Sequence, residues 1–287
     1  KPRFIREAPY LSPTEIHTYR VYYQKMLESL RAVDDGVKQI VDTLGYTGRL
    51  RNTYIVFVSD NGFFFGEHRL TGGKFLAYEP ATHLPLLIRG PGIKPGTTSG
   101  EFAMNVDIAP TILELAGAIP DKSIDGRSLV PFMRDTTLRT RRPLLFESFV
   151  ETSDVEQQGG AAARTSARGG AQASILAPPK DYEGIRLGPY KYIAWPTGEK
   201  ELYDINRDPY ELNNIARDPN FFPVRNALHN ELINRLEDCV GRVCREAAAD
   251  VPLTRKEIQR ARAEERQEKR QKQREKRQKE KEAKQKP

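Results

Sequence analysis

Tyr54-Ile55-Val56-Phe57-Val58-Ser59-Asp60-Asn61-Gly62 is the stretch from which the rest of the chain can be read. Five consecutive apolar or aromatic residues run directly into a polar Ser-Asp-Asn-Gly. An unbroken run of this kind predicts a strand buried on both faces, as in a parallel sheet covered by helices. Ligands of such sheets bind just beyond the carboxyl ends of the strands, where Asp60 and Asn61 fall. A carboxylate beside an amide oxygen suits a hard cation such as calcium. Gly62 lets the chain turn away sharply and leaves room beside the backbone. The stretch by itself leaves a second reading open, an Asn-Gly turn that merely ends a core strand.

Outward on the C-terminal side lies Gly62-Phe63-Phe64-Phe65-Gly66-Glu67-His68-Arg69-Leu70-Thr71-Gly72-Gly73-Lys74. It has no period and reads as a loop, placed where function concentrates. Lys74 could neutralise an anionic substrate, and His68 could move a proton or hydrogen-bond. The bland alternative for Lys74 is a solvated surface lysine. Leu84-Pro85-Leu86-Leu87-Ile88-Arg89 predicts a second buried strand, stopped by Gly90-Pro91-Gly92. Asp107-Ile108-Ala109-Pro110 opens a short helix, Thr111 to Ala116, with Asp107 as an N-cap or first-turn acid and not a metal ligand.

On the N-terminal side, Ser12-Pro13-Thr14-Glu15 has the form of a capping box with proline at the first helical position. Apolar residues follow at Ile16, Tyr19, Tyr23, Met26, Leu30, Val33, Val37, Ile40 and Leu44, and Gly45 is the expected C′ residue. At 1.5 Å per residue this helix is roughly 45 Å long. A strand follows closely and needs a cover, so the helix is expected to lie across the sheet; a coiled coil also fits the pattern. His17 lies beside the seam and reads as a surface residue.

The 287 residues can hold one large domain or two smaller ones. Thr254–Pro287 holds 15 of the 46 Lys and Arg but only 7 of the 39 Asp and Glu, leaving 31 basic and 32 acidic residues elsewhere. The formal charge of +7 and the pI near 9.3 therefore describe a tail, and a nucleic-acid-binding reading of the whole chain loses its support. No apolar run approaches the ~18 residues of a membrane span. No signal peptide is visible, and the chain starts at Lys1 without a Met.

Glu151 to Lys180 is rich in Gly and Ala and nearly free of large apolar residues, which predicts a flexible low-complexity insertion. Ile185-Arg186-Leu187 and Tyr190 to Trp195 alternate like an antiparallel hairpin with Gly188-Pro189 as its turn, and Glu201 to Ile205 is a further strand. Trp195 reads as core in preference to a sugar platform. Asn226 to Leu236 is a helix with Leu228, Leu232 and Leu236 on one face. Cys239 and Cys244 flank Gly241 and suit a small local disulfide in an oxidising compartment; two free thiols are the alternative. The tail has Glu-to-Lys pairs at i,i+4 but no apolar stripe, so it reads as a charged helix unable to dock. It is either a solvated appendage or a clamp for anionic polymers such as sulfated glycans or cell-wall polymers.

Several of these motifs recur in one order in a known family. TYIVFVSDNGFFFGEHRL (53–70), GGK (72–74), LPLLIRGPGIKPG (84–96), NVDIAPTILELAG (105–117) and DGRSL (125–129) resemble the C-terminal half of a type I, formylglycine-dependent sulfatase. AVDDGV (32–37), GPYKYIAW (188–195) and KELYDINRDPYELNNIA (200–216) extend the likeness to about Leu11–Cys244. NTYIVFVSDNG and RGPGIKPG bring it nearest the N-acetylglucosamine-6-sulfatase branch. The resemblance implies an alkaline-phosphatase-like α/β fold, a mixed sheet sandwiched by helices with a small C-terminal antiparallel sheet and helix beside it. It implies Asp60 and Asn61 as calcium ligands, Lys74 as a sulfate-binding lysine and His68 as a residue near the substrate. It implies hydrolysis of a sulfate ester, with a sulfated sugar or glycan as substrate, in a secreted, periplasmic or other exported compartment.

The expected organisation is residues 1–150 as the C-terminal part of the catalytic α/β domain, 151–180 as the insertion, 181–250 as the C-terminal subdomain and 251–287 as the basic tail. The family's C/S-x-P-x-R motif, source of the formylglycine, does not occur here. Nor do its two upstream calcium-binding aspartates or its upstream histidine. The chain is therefore expected to be the C-terminal part of a sulfatase, inactive alone. The competing readings are a phosphodiesterase or phosphonate hydrolase of the same superfamily, and a non-catalytic protein that binds sulfated glycans or other polyanions.

Overall fold

Two antiparallel sheets, one of two strands and one of four, organise the chain in a computed structural model that describes residues 1–148, 181–238, 244, 246–248 and 250–284. In chain order the elements are α1 (Arg3–Arg6), α2 (Pro13–Tyr46), β1 (Ile55–Val58), α3 (Glu79–Thr82), β2 (Leu86–Arg89), α4 (Ile108–Leu115) and α5 (Val130–Arg134). Then come β3 (Leu144–Ser148), β4 (Tyr182–Leu187), β5 (Tyr190–Ala194), β6 (Lys200–Asp204), α6 (Phe222–Asp238) and α7 (Arg255–Lys284). The expected insertion at 151–180 lies outside the described residues.

α2 begins as its sequence dictates. The Ser12 hydroxyl accepts the Glu15 N–H, and the Glu15 carboxylate accepts the Ser12 N–H at 2.8 Å. The helix runs one residue past Gly45, to Tyr46, and Gly48 takes the left-handed conformation (φ 71°). None of its 34 residues is buried, and Ile16, Tyr23, Met26, Leu30, Val33 and Ile40 of the predicted seam are exposed. The expected sheet cover is not formed, because the neighbouring sheet has only two four-residue strands and too little apolar area to receive so long a helix. α2 instead meets the loop after β1: Tyr22 and Tyr23 pack against Phe65, and the Tyr19 hydroxyl donates to the Thr71 carbonyl at 3.0 Å.

β1 also departs from expectation. It pairs antiparallel with β2, Ile55 opposite Arg89 and Val58 opposite Leu86, and Phe57 and Val58 remain 39% and 40% exposed. A strand is buried on both faces only when helices close on a wider sheet, and among the described residues this sheet stops at two strands.

The four-stranded sheet, in order β3-β4-β5-β6, is covered on both faces. Side-chain alternation assigns each residue to a face. Ile185, Leu187, Tyr190, Tyr192 and Leu202 pack against Val224, Leu228 and Leu232 of α6. Tyr182, Ile193, Trp195, Tyr203 and Ile205 point the other way, onto Phe4, Ile5, Phe64, Leu76, Ala77 and Tyr78. Trp195 is core, as read from sequence. The β4–β5 turn falls at Gly188-Pro189, with Gly188 at φ 55°. α7 corrects one expectation: Ile258 in its first turn is buried in the α6 core, so a helix without an apolar stripe still docks by its start.

Candidate active site

The loop leaving β1 folds back on itself. Gly62 donates to the Ala81 carbonyl at 2.9 Å and Phe63 to the Pro80 carbonyl at 3.0 Å. A Cβ on Gly62 would stand 2.0 Å from the Pro80 oxygen, so only glycine permits this approach. Further on, Gly72 donates to the Phe64 carbonyl at 3.0 Å and Phe64 to the Gly73 carbonyl at 3.2 Å, with Gly72 and Gly73 both at positive φ. This ladder returns the chain to the end of β1. The Lys74 ammonium thereby reaches the Asn61 side chain, donating to Oδ1 at 2.8 Å.

Asp60 is exposed at the end of β1. Its Oδ1 accepts the Asn61 N–H at 2.8 Å, and its backbone carbonyl accepts Asn105 Nδ2 at 3.2 Å. Three of the four residues singled out by sequence thus stand together: Asp60, Asn61 and Lys74. His68 is not joined to them by any hydrogen bond among the described residues. It sits at φ 55°, next to Arg69 at φ 64°, two successive left-handed residues without a glycine. Arg69 holds that strained segment by donating to the Ile5 and Ala8 carbonyls, both at 2.7 Å. The His68 ring packs 4.4 Å from the Tyr78 ring, and its Nε2 has no hydrogen-bond partner. Burial, reinforced by the Lys1 charge, lowers its pKa to about 3. The imidazole is therefore neutral across the physiological range.

Asp107 is a first-turn acid, as read from sequence, but its partners were not foreseen. It is 0% exposed and accepts the Met104 N–H at 2.9 Å and the Arg127 N–H at 2.8 Å. It also pairs with Arg142, 1% exposed, at 2.8 Å. Burial lowers the Arg142 pKa, and the Asp107 charge opposes that shift. With Asp107 committed to Arg142 and to two backbone donors, a metal-ligand role is closed to it.

Two buried carboxylates dock the loop onto the four-stranded sheet. Glu201 accepts from the Tyr78 hydroxyl at 3.0 Å, from Trp195 Nε1 at 2.8 Å and from the Tyr203 hydroxyl. Burial, with the Glu201 charge next, pushes both tyrosine pKa values well up. Glu79 pairs with Lys191 at 2.7 Å and Arg186 at 2.8 Å, and Lys191 also pairs with Glu211 at 2.9 Å. Burial is the largest influence on both acids. On Glu79 it is outweighed by Lys191 and Arg186, leaving its pKa lowered, whereas Glu211 ends raised. The signal in the sequence was alternation: Lys191 shares its face with Ile193, and Glu201 with Tyr203.

No cluster of three or more His, Cys, Asp or Glu able to hold a metal occurs among the described residues. Asp60 and Asn61 offer two adjacent hard oxygens, which fits part of the six- to eight-oxygen shell of calcium and not the whole of it. Cys244 is buried, and its expected partner Cys239 lies outside the described residues. No helix among the described residues is long and apolar enough to cross a membrane.

Comparison with known proteins places the chain among known families. Residues 3–118 match the sulfatase family. The human N-acetylglucosamine-6-sulfatase is 34% identical over 238 residues, covering 78% of this chain and 42% of that protein. A solved structure in complex with its substrate D-glucosamine-2-N,6-O-disulfate is 32% identical, with a TM-score of 0.63, covering 76% of this chain and 41% of the other. The phosphonate monoester hydrolase of Agrobacterium radiobacter is 28% identical, with a TM-score of 0.56, covering 71% and 39%. The chain spans about two fifths of the curated relatives it matches. The fold is the alkaline-phosphatase-like α/β fold of its structural neighbours. Residues 3–118 belong to the sulfatase family, and the likeness to sulfatases extends over most of the chain.

Proposed function

We propose that this chain contributes part of the site of a sulfuric ester hydrolase acting on a sulfated amino sugar. The observation that carries the reading is the Lys74 ammonium held 2.8 Å from Asn61 Oδ1, beside the exposed Asp60 carboxylate. A sulfate monoester is stable in water, and its cleavage builds negative charge on the sulfate and leaving-group oxygens. Fixed cationic groups stabilise that charge in a water-poor site. Lys74 would hold a sulfate oxygen, and Asp60 and Asn61 would be two of the calcium ligands. Bound calcium supplies further positive charge for the sulfate group. His68 is neutral near physiological pH and does not deliver a proton from an imidazolium, and its Nε2 is buried as well as unpartnered. The family's formylglycine has no source in this sequence.

The names of the relatives direct the substrate class toward glucosamine 6-sulfates, and the phosphonate hydrolase neighbour supports phosphonate monoesters as a second reading. The test joins the chain to the remaining region of an N-acetylglucosamine-6-sulfatase relative and measures sulfate and phosphonate release with and without calcium. Calcium-dependent sulfate release is expected, and none from the chain alone. Preferential phosphonate turnover would favour the second reading. A folded, calcium-loaded assembly that cleaves neither substrate would overturn both.

The same reading places the protein in an exported, oxidising compartment, with Cys239 and Cys244 joined. Intact mass should then rise by two hydrogen atoms on reduction, as two electrons and two protons convert the disulfide to two thiols. Alkylation of both thiols without reductant, on protein made in an oxidising compartment, would refute the pairing.

A further inference from the structure

α7 is two different objects end to end. Its start is fixed: Thr254 and Glu257 form a reciprocal cap, Ile258 is buried against α6, Glu257 lies 3.6 Å from Arg141, and Asn226 donates to Glu265 at 3.5 Å. Beyond Glu265 the polar contacts of the described residues stay within the helix. Arg266, Arg270, Arg274 and Arg277 are all exposed and recur at intervals of four, four and three, which places them on one face. At 3.6 residues per turn, Glu264, Glu268 and Glu275 fall about 120° or more around the axis. These acids take partners on their own side: Arg260 to Glu264 at 2.9 Å, Lys272 to Glu268 at 2.6 Å and Gln271 to Glu275 at 3.1 Å. Among the side chains described, which end at Arg277, the arginine face has no acidic partner. From Arg266 to Arg277 it is roughly 16 Å long.

We propose that this arginine face binds a linear sulfated polysaccharide and so holds the enzyme on its polymeric substrate, an inference that rests on the sulfatase reading above. Guanidinium forks match the paired oxygens of sulfate, and a straight row of them matches a chain carrying sulfates at intervals. Nucleic acid fits less well, since α7 has no aromatic residue to stack on bases. A membrane surface fits less well, since beyond Ile258 the helix has no apolar face.

Heparin is the probe, with the full chain at about 0.15 M salt. One variant carries Arg266→Gln, Arg270→Gln, Arg274→Gln and Arg277→Gln. The control carries Lys269→Gln, Lys272→Gln, Lys276→Gln and Lys279→Gln, which removes the same charge from other faces. Glutamine is nearly as good a helix former as lysine and arginine, and far-UV circular dichroism checks that the helix persists. The arginine variant should bind heparin about tenfold or more weakly, and the control by less than about threefold. Equal losses, or no loss in either, would overturn the inference. So would tighter binding of duplex DNA or of phosphatidylserine vesicles than of heparin. Face-dependent heparin binding by a protein whose assembled form releases no sulfate would count against the sulfatase reading alone. Sulfate release without face-dependent heparin binding would count against this inference alone.

Discussion

Asp107→Ala is expected to cost about 3–5 kcal/mol of folding stability, the usual penalty for breaking a buried ion pair from one side. Arg142 would keep its charge at 1% exposure with no carboxylate against it. The Met104 and Arg127 N–H groups would lose their acceptor as well. Set against a total stability of about 5–15 kcal/mol, that loss removes about a fifth of it or more. Pairing the change with Arg142→Met should recover only part of it, because the two N–H groups stay unsatisfied. Urea melts of the single and double variants decide the matter. A single-variant loss below about 1 kcal/mol would show that the pair is not what holds α4 to β3.

Asp60→Ala should do the reverse. The side chain is exposed, so stability should change by no more than about 0.5 kcal/mol. In the assembled enzyme, turnover should fall by about 10³-fold and the calcium requirement should move to higher concentration, since a hard anionic oxygen is lost from the metal shell. Lys74→Ala should lower kcat by about 10²-fold and move the calcium requirement less than Asp60→Ala does, because its charge acts chiefly on sulfate oxygens even though it contacts Asn61 Oδ1. Terbium luminescence on the chain itself reads metal binding apart from catalysis. Unchanged turnover and unchanged terbium binding in Asp60→Ala would remove this stretch from the metal site.

What the sequence disclosed was local chemistry. The Ser12–Glu15 box, the Gly188-Pro189 turn and the inward Leu228 and Leu232 each depend on neighbours within a few positions. The family motifs imply roles for Asn61 and Lys74 but not their contact, whose physical reason is the ladder between Phe64 and Gly73. What stayed hidden depends on distant partners. Arg142 lies 35 residues from Asp107, and nothing around Arg142 marks it as the most buried cation of that region. The apolar run of β1 states that the strand suits burial; it cannot state how many strands will assemble around it. Ile258 was overlooked because a helix of average composition this polar hides a single docking residue in its first turn.

The contrast between the two sheets has a consequence for local unfolding. β4 and β5 are covered on both faces and pinned by α6, so their amides belong to the region that opens only with the whole protein. β1 and β2 form a two-stranded ribbon with exposed apolar residues, the kind of unit that is marginal by itself. The Asp60–Lys74 loop therefore hangs between a sturdy support and a weak one. Whatever binds at its ribbon end must first supply the free energy of ordering it, so apparent affinity there is intrinsic affinity scaled by the fraction of time the ribbon is closed. Covering the bare face of β1 would raise that fraction, and metal binding and sheet completion would then be thermodynamically coupled.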